Sequence, residues 1–178
     1  MRALIVYESM YGNTHVVADH IAEGLRSQFE VEVVPVEAAT DDKVAAVDLL
    51  VVGGPTHVHT LSTQKTRVAA KEAAAKPSAD LTMDPDAEGE GLRDWIDHLP
   101  AIQSTAAAAF DTRLDAPALL TGRASRAIER RLARHGWCNV VADPESFLVD
   151  KQNHLLEGED HRATQWAKEL AESVAANP

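Results

Sequence analysis

Ala3-Leu4-Ile5-Val6-Tyr7-Glu8-Ser9-Met10-Tyr11-Gly12-Asn13-Thr14 is the stretch that decides the architecture of this chain. Residues 3–7 form an unbroken apolar run, the pattern of a strand buried on both faces rather than one with a wet side. Residues 14–26 then place Val17, Ile21, Ala22 and Leu25 at helical spacing. The valine-rich segment 29–36 predicts a second strand. Residues 41–47 predict a short crossover helix, with Asp41 and Asp42 suited to the positive end of its dipole. Residues 48–52 predict a third strand, fully apolar, that stops at Gly53-Gly54-Pro55. Alternating strands and helices with short connections imply a parallel sheet wrapped by helices, an α/β doubly wound fold.

The alternation continues downstream. Residues 91–99 predict a helix with Leu92, Trp95, Ile96 and Leu99 on one face, and 105–110 an alanine-rich strand. Residues 125–135 predict a basic helix that Gly136 ends. A strand region over 138–149 is broken at Asp143-Pro144, and 159–175 predict the last helix. Five strands fill one domain spanning residues 1–178. One insertion, residues 62–91, exceeds the minimal pattern. Its first half contains Lys71-Glu72-Ala73-Ala74-Ala75-Lys76, a helix-favouring composition. Its second half, 77–91, carries Asp80, Asp84, Asp86, Glu88 and Glu90 and is expected to be an acidic, mobile loop.

Bulk properties narrow the function. The chain has 178 residues and a formal net charge of −11, which argues against nucleic acid or an anionic membrane as partner. Aromatic residues make up 4%, so the core must be built from aliphatic side chains. A single cysteine, Cys138, excludes an internal disulfide and a cysteine-based cluster; it is expected in the core. The N-terminal apolar run is too short to cross a membrane and precedes no small-residue cleavage site, so a cytoplasmic location is expected.

In an open parallel sheet, ligands bind beyond the carboxyl ends of the strands. The turn Ser9-Met10-Tyr11-Gly12-Asn13-Thr14 lies there, with two hydroxyls, an amide and a glycine ahead of a helix N-terminus. That is an anion site needing no cationic side chain. Neither G-x-G-x-x-G nor a P-loop lysine is present, and Gly53-Gly54 stand where a receiver domain would want an aspartate. Taken alone, Ser9, Asn13 and Thr14 could equally be simple helix caps.

The second turn at the same sheet end, Gly53-Gly54-Pro55-Thr56-His57-Val58-His59, makes the pair of motifs resemble the flavodoxin-like family. Ser9-Met10-Tyr11-Gly12 looks like that family's quinone-reductase branch. The resemblance covers nearly the whole chain apart from the insertion. It implies a five-stranded parallel sheet of order 2-1-3-4-5 and FMN as cofactor. It also implies that Ser9, Tyr11 (through its backbone amide), Asn13 and Thr14 hold the phosphate while Met10 and Gly12 shape the loop. Pro55, Thr56, His57 and Val58 would form the wall beside the flavin ring, and Asp111, Thr112 and Arg113 the third contact loop. His57 or His59 could stack on the ring or meet a substrate, or both could be exposed loop residues. No metal site is expected, because His57-x-His59 lacks a third ligand. Arg113 could stabilise an anionic reduced flavin or pair with Asp111 or Asp115. Residues 121–125 could cap the next helix or give a second anion contact. The flanking aromatics of electron carriers are missing from the third contact loop.

The net charge does not veto a phosphate, since screening confines it to roughly 8 Å at physiological salt. Two functions are therefore in play. The first is an FMN-binding redox protein that shuttles electrons or reduces a small acceptor such as a quinone, with NAD(P)H as a conceivable donor. The second is a non-redox binding module with a degenerate FMN site. In the first case the insertion should partly cover the flavin, and its acids should present a docking face to a basic redox partner.

Overall fold

Alternation in the first strand divides the core in two. In the computed structural model, which describes residues 1–77, 79–100, 106–136, 139–140 and 142–176, strand β1 runs Arg2–Tyr7. Its odd residues Ala3, Ile5 and Tyr7 face one apolar cluster, and its even residues Leu4 and Val6 face the other. Period-two pointing of side chains requires this of a strand covered on both faces. Helix α1 (Asn13–Leu25) follows, then β2 (Glu30–Pro35), a single 3-10 turn at Val36–Ala38, α2 (Asp41–Ala45) and β3 (Leu49–Pro55). Thr40 starts α2 by accepting the amide of Lys43 at 3.4 Å.

The insertion supplies α3 (Gln64–Ala74), closed at its start by a reciprocal Thr63–Thr66 capping box, and leads into α4 (Leu92–His98). Then come β4 (Ala106–Leu114), a one-turn α5 (Ala118–Thr121), α6 (Ala124–Arg134), β5 (Asn139–Val140), β6 (Glu145–Val149) and α7 (Glu159–Ala176). The sheet is parallel, ordered β2-β1-β3-β4, with β5 and β6 sharing the fifth position beside β4. This is the expected 2-1-3-4-5 order. The break at Asp143-Pro144 splits the fifth strand, because proline cannot donate to a ladder.

Helices α1 and α7 cover the face of Ile5, Val51 and Phe110 through Val17, Ile21, Trp166 and Leu170. Helices α4 and α6 cover the face of Leu4, Val52 and Ala109 through Trp95, Ile96, Ile128 and Leu132. The four alanines Ala106–Ala109 are buried. Their small side chains leave the central strand room for bulky helix residues on both sides. Each fully buried Leu or Ile contributes roughly 1.5–3 kcal/mol, so the two clusters supply the stability that scarce aromatics do not. Tyr7, Trp95 and Phe147 are buried as expected, and Trp95 Nε1 donates to the Ala39 carbonyl at 3.0 Å. Expectations for Thr105, Trp137 and Cys138 fall outside the described residues.

Two strand ends differ from the sequence reading by three residues or more. Strand β3 does not stop at Val52 but runs through Gly53-Gly54-Pro55, which pair with Phe110, Asp111 and Thr112. Strand β4 likewise extends past Phe110 to Leu114 because β6 pairs with residues 110–114. Asp111, Thr112 and Arg113 are therefore strand residues, not a loop.

Candidate functional site

Gly12 closes the first turn with φ 91°, a left-handed conformation that costs a side-chain-bearing residue roughly 1–2 kcal/mol. Its amide donates to Ser9 Oγ at 3.1 Å, which curls the loop back on itself. Helix α1 then begins with no side-chain cap and no acidic residue in its first turn. Its leading amides thus have no side-chain cap, and the positive end of the dipole lies behind them. A methyl group at Gly12 would meet nothing within 4 Å.

Three further segments close around that turn. Thr14 Oγ1 and Thr112 Oγ1 share a buried hydrogen bond of 2.8 Å, which locks the start of α1 to β4. The Thr56 amide donates to the Thr112 carbonyl at 2.8 Å, so the loop after β3 continues the ladder. Asn13 Nδ2 donates to the Asn153 carbonyl at 2.8 Å, bringing in the turn after β6. The result is a cleft of about 240 Å³. It is lined by Ser9, Met10, Tyr11, Asn13 and Thr14, by Pro55, Thr56 and His57, and by Thr112, Arg113 and Leu114.

Ten of the thirteen residues anticipated from sequence thus share one cleft. Gly12 shapes its floor without lining it. Val58 stands 78% exposed on the rim, where it shares a shallow neighbouring pocket with Arg113, Leu114 and Leu120. Asp111 lies away from the cleft: it is fully buried and accepts the Ser125 amide at 2.7 Å, at the N-terminus of α6. Burial raises its pKa above the usual carboxylate range, against the pull of the Ser125 amide. Thr56 Oγ1 accepts the adjoining Ala124 amide at 2.8 Å. Side chains from β4 and from the loop after β3 thus cap the start of α6. Its own N-cap residue, Arg123, makes no side-chain cap, so residues 121–125 are capped rather than capping.

Arg113 pairs with neither Asp111 nor Asp115. Its Nη1 donates to the carbonyls of Leu114 and Ala116, at 3.2 and 2.7 Å, while its Nε is buried without a partner. His57 is held by a tight turn in which its amide donates to Thr60 O at 2.7 Å. Burial lowers its pKa, with Arg67 acting the same way and Glu8 against. The neutral imidazole is therefore favoured. His59 is turned the other way, with φ 74° and a bridge to Gly122.

The sequence reading missed Asp150, Lys151 and Asn153, which line the cleft from the turn after β6. The available signal was Asp150 itself, whose Oδ1 accepts the amides of Gln152 and His154 at 2.9 and 2.8 Å. This is the self-bonding turn that aspartate favours.

The insertion does not cover the cleft; none of its described residues lines it. It packs behind the first turn instead. The Asp84 amide donates to the Met10 carbonyl at 2.9 Å, Tyr11 Oη donates to Ala70 O at 3.0 Å, and Tyr7 Oη donates to Asp86 at 2.7 Å. Residues 84–88 are thus tied to the rest of the fold. Asp84, Asp86 and Glu88 are engaged by His15, Tyr7 and Lys71, and none of them lines the cleft.

A family model described as a flavodoxin domain matches residues 4–123. No curated protein matches the sequence significantly. Among solved structures, a flavodoxin from the domain Archaea is similar at 19% identity and TM-score 0.65, over 98% of this chain and 99% of that one. Oxidised Flavodoxin 1 from Bacillus cereus is similar at 19% identity and TM-score 0.64, over 97% and 98%. Oxidised Flavodoxin 2 from the same organism reaches 21% and 0.62 over the full length of both chains. Likeness at these identities concerns the fold. No helix among the described residues is long and apolar enough to cross a membrane.

Proposed function

The chain belongs to the flavodoxin-domain family, and from that premise we propose that it binds FMN and reduces a small acceptor such as a quinone. Membership supports flavin-dependent redox work in general; the residues support the finer reading. The observation that carries it is the uncapped N-terminus of α1 behind a left-handed Gly12, opening into the same cleft as the ends of β3 and β4.

The donor set fits the cofactor. Ser9 Oγ, Asn13, Thr14 and the first-turn amides suit a phosphate dianion, and the first turn holds no carboxylate to oppose it. Pro55, Thr56 and His57 line the cleft beside Thr112, Arg113 and Leu114, the two segments joined by the bond from the Thr56 amide to the Thr112 carbonyl. Arg113 brings a positive charge to the same cleft. Lys151 adds a cation that the sequence reading did not place there.

Bound FMN supplies the electron-accepting ring, and the protein's part is orientation and tuning. His57, kept neutral by burial, offers a hydrogen-bonding imidazole without adding charge. Arg113 is anchored by carbonyls, so its positive charge stays fixed beside the cleft. The exposed apolar side chains of Val58, Leu114 and Leu120 beside the cleft suit an apolar acceptor better than a strongly charged one. Among the described residues Tyr11 is the only phenylalanine, tyrosine or tryptophan lining the cleft, and its hydroxyl is committed to Ala70. That favours a reductase over a carrier that clamps the ring between aromatics.

Titration of the purified protein into FMN tests the first half: flavin fluorescence should be quenched with one site per chain. Colourless protein that leaves the fluorescence unchanged would return the reading to a binding module without flavin. The second half is tested by following NAD(P)H oxidation with a soluble quinone. Turnover without any added protein supports the reductase; turnover only with a separate reductase makes the chain a carrier, with a basic redox partner as its expected target.

A further inference from the structure

Three metal-ligating side chains converge behind the first turn, outside the cleft. His15 projects from the first turn of α1, and Asp84 and Asp86 come from the insertion. His15 Nδ1 lies 3.5 Å from Asp84 Oδ2 and 4.0 Å from Asp86 Oδ2, and the three ligand atoms lie within 4.8 Å of one another. We propose that these residues form a divalent-cation site of the zinc class that clips the insertion to α1.

The state of Asp84 is the first support. Its side chain is 1% exposed. Its Oδ1 accepts the Asp86 amide at 2.9 Å, and its Oδ2 faces His15 Nδ1 at 3.5 Å. A carboxylate this deeply buried is costly to keep charged unless a cation stands beside it. The 3.5 Å between His15 Nδ1 and Asp84 Oδ2 is close to the edge between two ligands of a tetrahedral zinc, about 3.4 Å for bonds of about 2.1 Å. The 4.0 Å to Asp86 needs only a small side-chain rotation, which its half-exposed carboxylate permits.

Supporting groups surround the three ligands. Tyr7 Oη donates to Asp86 Oδ2 at 2.7 Å and so orients that carboxylate. The Tyr7 ring stacks on the His15 imidazole, with centroids 4.4 Å apart and planes 23° from parallel. Asp19 Oδ2 stands 4.0 Å from His15 Nε2, where a carboxylate can receive the second ring N–H of a ligating histidine. One imidazole with two carboxylates suits zinc or manganese better than the all-oxygen preference of calcium or magnesium. Because the Asp84 amide also holds the Met10 carbonyl, a cation here would stiffen the turn from behind.

Calorimetric titration of chelator-treated protein with zinc chloride tests the site, without FMN and independently of the flavin reading. One zinc per chain is expected, together with a rise in thermal midpoint. His15→Gln and Asp86→Asn should each weaken binding by about a hundredfold or more and abolish the thermal shift. Circular dichroism would verify that both variants fold, and His161→Gln, remote and exposed, should bind as the parent does. Absence of stoichiometric binding, or binding undiminished in both ligand variants, would overturn the proposal.

Discussion

A side-chain carbon added to Gly53 would lie 2.0 Å from Cζ of Phe110, well inside the aromatic ring. The two residues are direct partners across β3 and β4, and the ring folds over the glycine to reach the Phe147 ring 6.2 Å away. Gly53 is therefore fixed by packing rather than by any contact with the cleft. Gly53→Ala should destabilise the fold by about 3 kcal/mol, at the upper end of core overpacking. Combining it with Phe110→Leu should cost less than the sum of the two, because the smaller side chain makes room. Urea denaturation of the four proteins measures both quantities. Equal and additive losses would mean that the ring moves aside freely.

That pair also marks what the sequence could disclose. The alternation of apolar runs with helical spacing in residues 3–52 was legible because β1 and β3 are buried on both faces and α1 on one. The first turn was legible because Ser9, Gly12, Asn13 and Thr14 are contiguous. Strand ends were not, because Gly53-Gly54-Pro55 reads as a stop signal. Only the Phe110 ring and the pairing of β6 with residues 110–114 show why the ladder continues. The same pairing buries Asp111, a residue whose sequence neighbourhood suggested an exposed contact loop. Lys151 and Asn153 stayed hidden for a different reason: they reach the cleft through the pairing of β6 with β4 and the bond from Asn13 to Asn153, across 140 positions.

Asp111 and His57 should impose pH dependences of opposite sign on stability. Burial raises the Asp111 pKa in the folded state. Between the ordinary aspartate value, about 3.9, and that raised value, the folded state binds more protons than the unfolded one. Stability from this group therefore falls as pH rises through the window. His57 is lowered by burial. Between its lowered value and the ordinary value of about 6.5, the unfolded state binds more protons, so stability is lost as pH falls. Asp111→Asn should flatten the first slope and be neutral or stabilising at pH 7, since the remaining carbonyl oxygen can still accept the Ser125 amide. His57→Gln should flatten the second. Denaturation midpoints from pH 4 to 8 would show each change, and unchanged slopes would refute the assignments.

Arg162 joins the last helix to the last strand. Its guanidinium donates to Glu145 at 2.6 Å, to Glu159 and to the Ser146 carbonyl, and its carbon lies 4.6 Å from the Phe147 ring centroid. Glu159 in turn accepts the Leu148 amide at 2.7 Å. A planar fork is needed to satisfy these acceptors while stacking on a ring. Arg162→Lys should therefore cost about 1–2 kcal/mol despite conserving charge, since it breaks charge-assisted hydrogen bonds in a half-buried setting. Comparison with Arg162→Met separates the contributions. If lysine behaves like arginine in thermal denaturation, charge alone is the operative feature.

Gly12 offers a direct test of the cleft's anion end. Open space in front of it means that Gly12→Ala creates no clash, so the substitution acts through the left-handed backbone alone. Relaxing φ from 91° would swing the amide away from Ser9 Oγ and tilt the leading amides of α1. Stability should fall by only about 1 kcal/mol. FMN affinity should fall far more, by about tenfold for each 1.4 kcal/mol of lost phosphate binding. Riboflavin separates the causes because it has the ring but lacks the phosphate. Fluorescence titrations should show FMN weakened by one to two orders of magnitude in Gly12→Ala, with riboflavin affinity unchanged. Equal weakening of both ligands would show that the turn supports the ring rather than the phosphate, and would move the anion end of the cleft elsewhere.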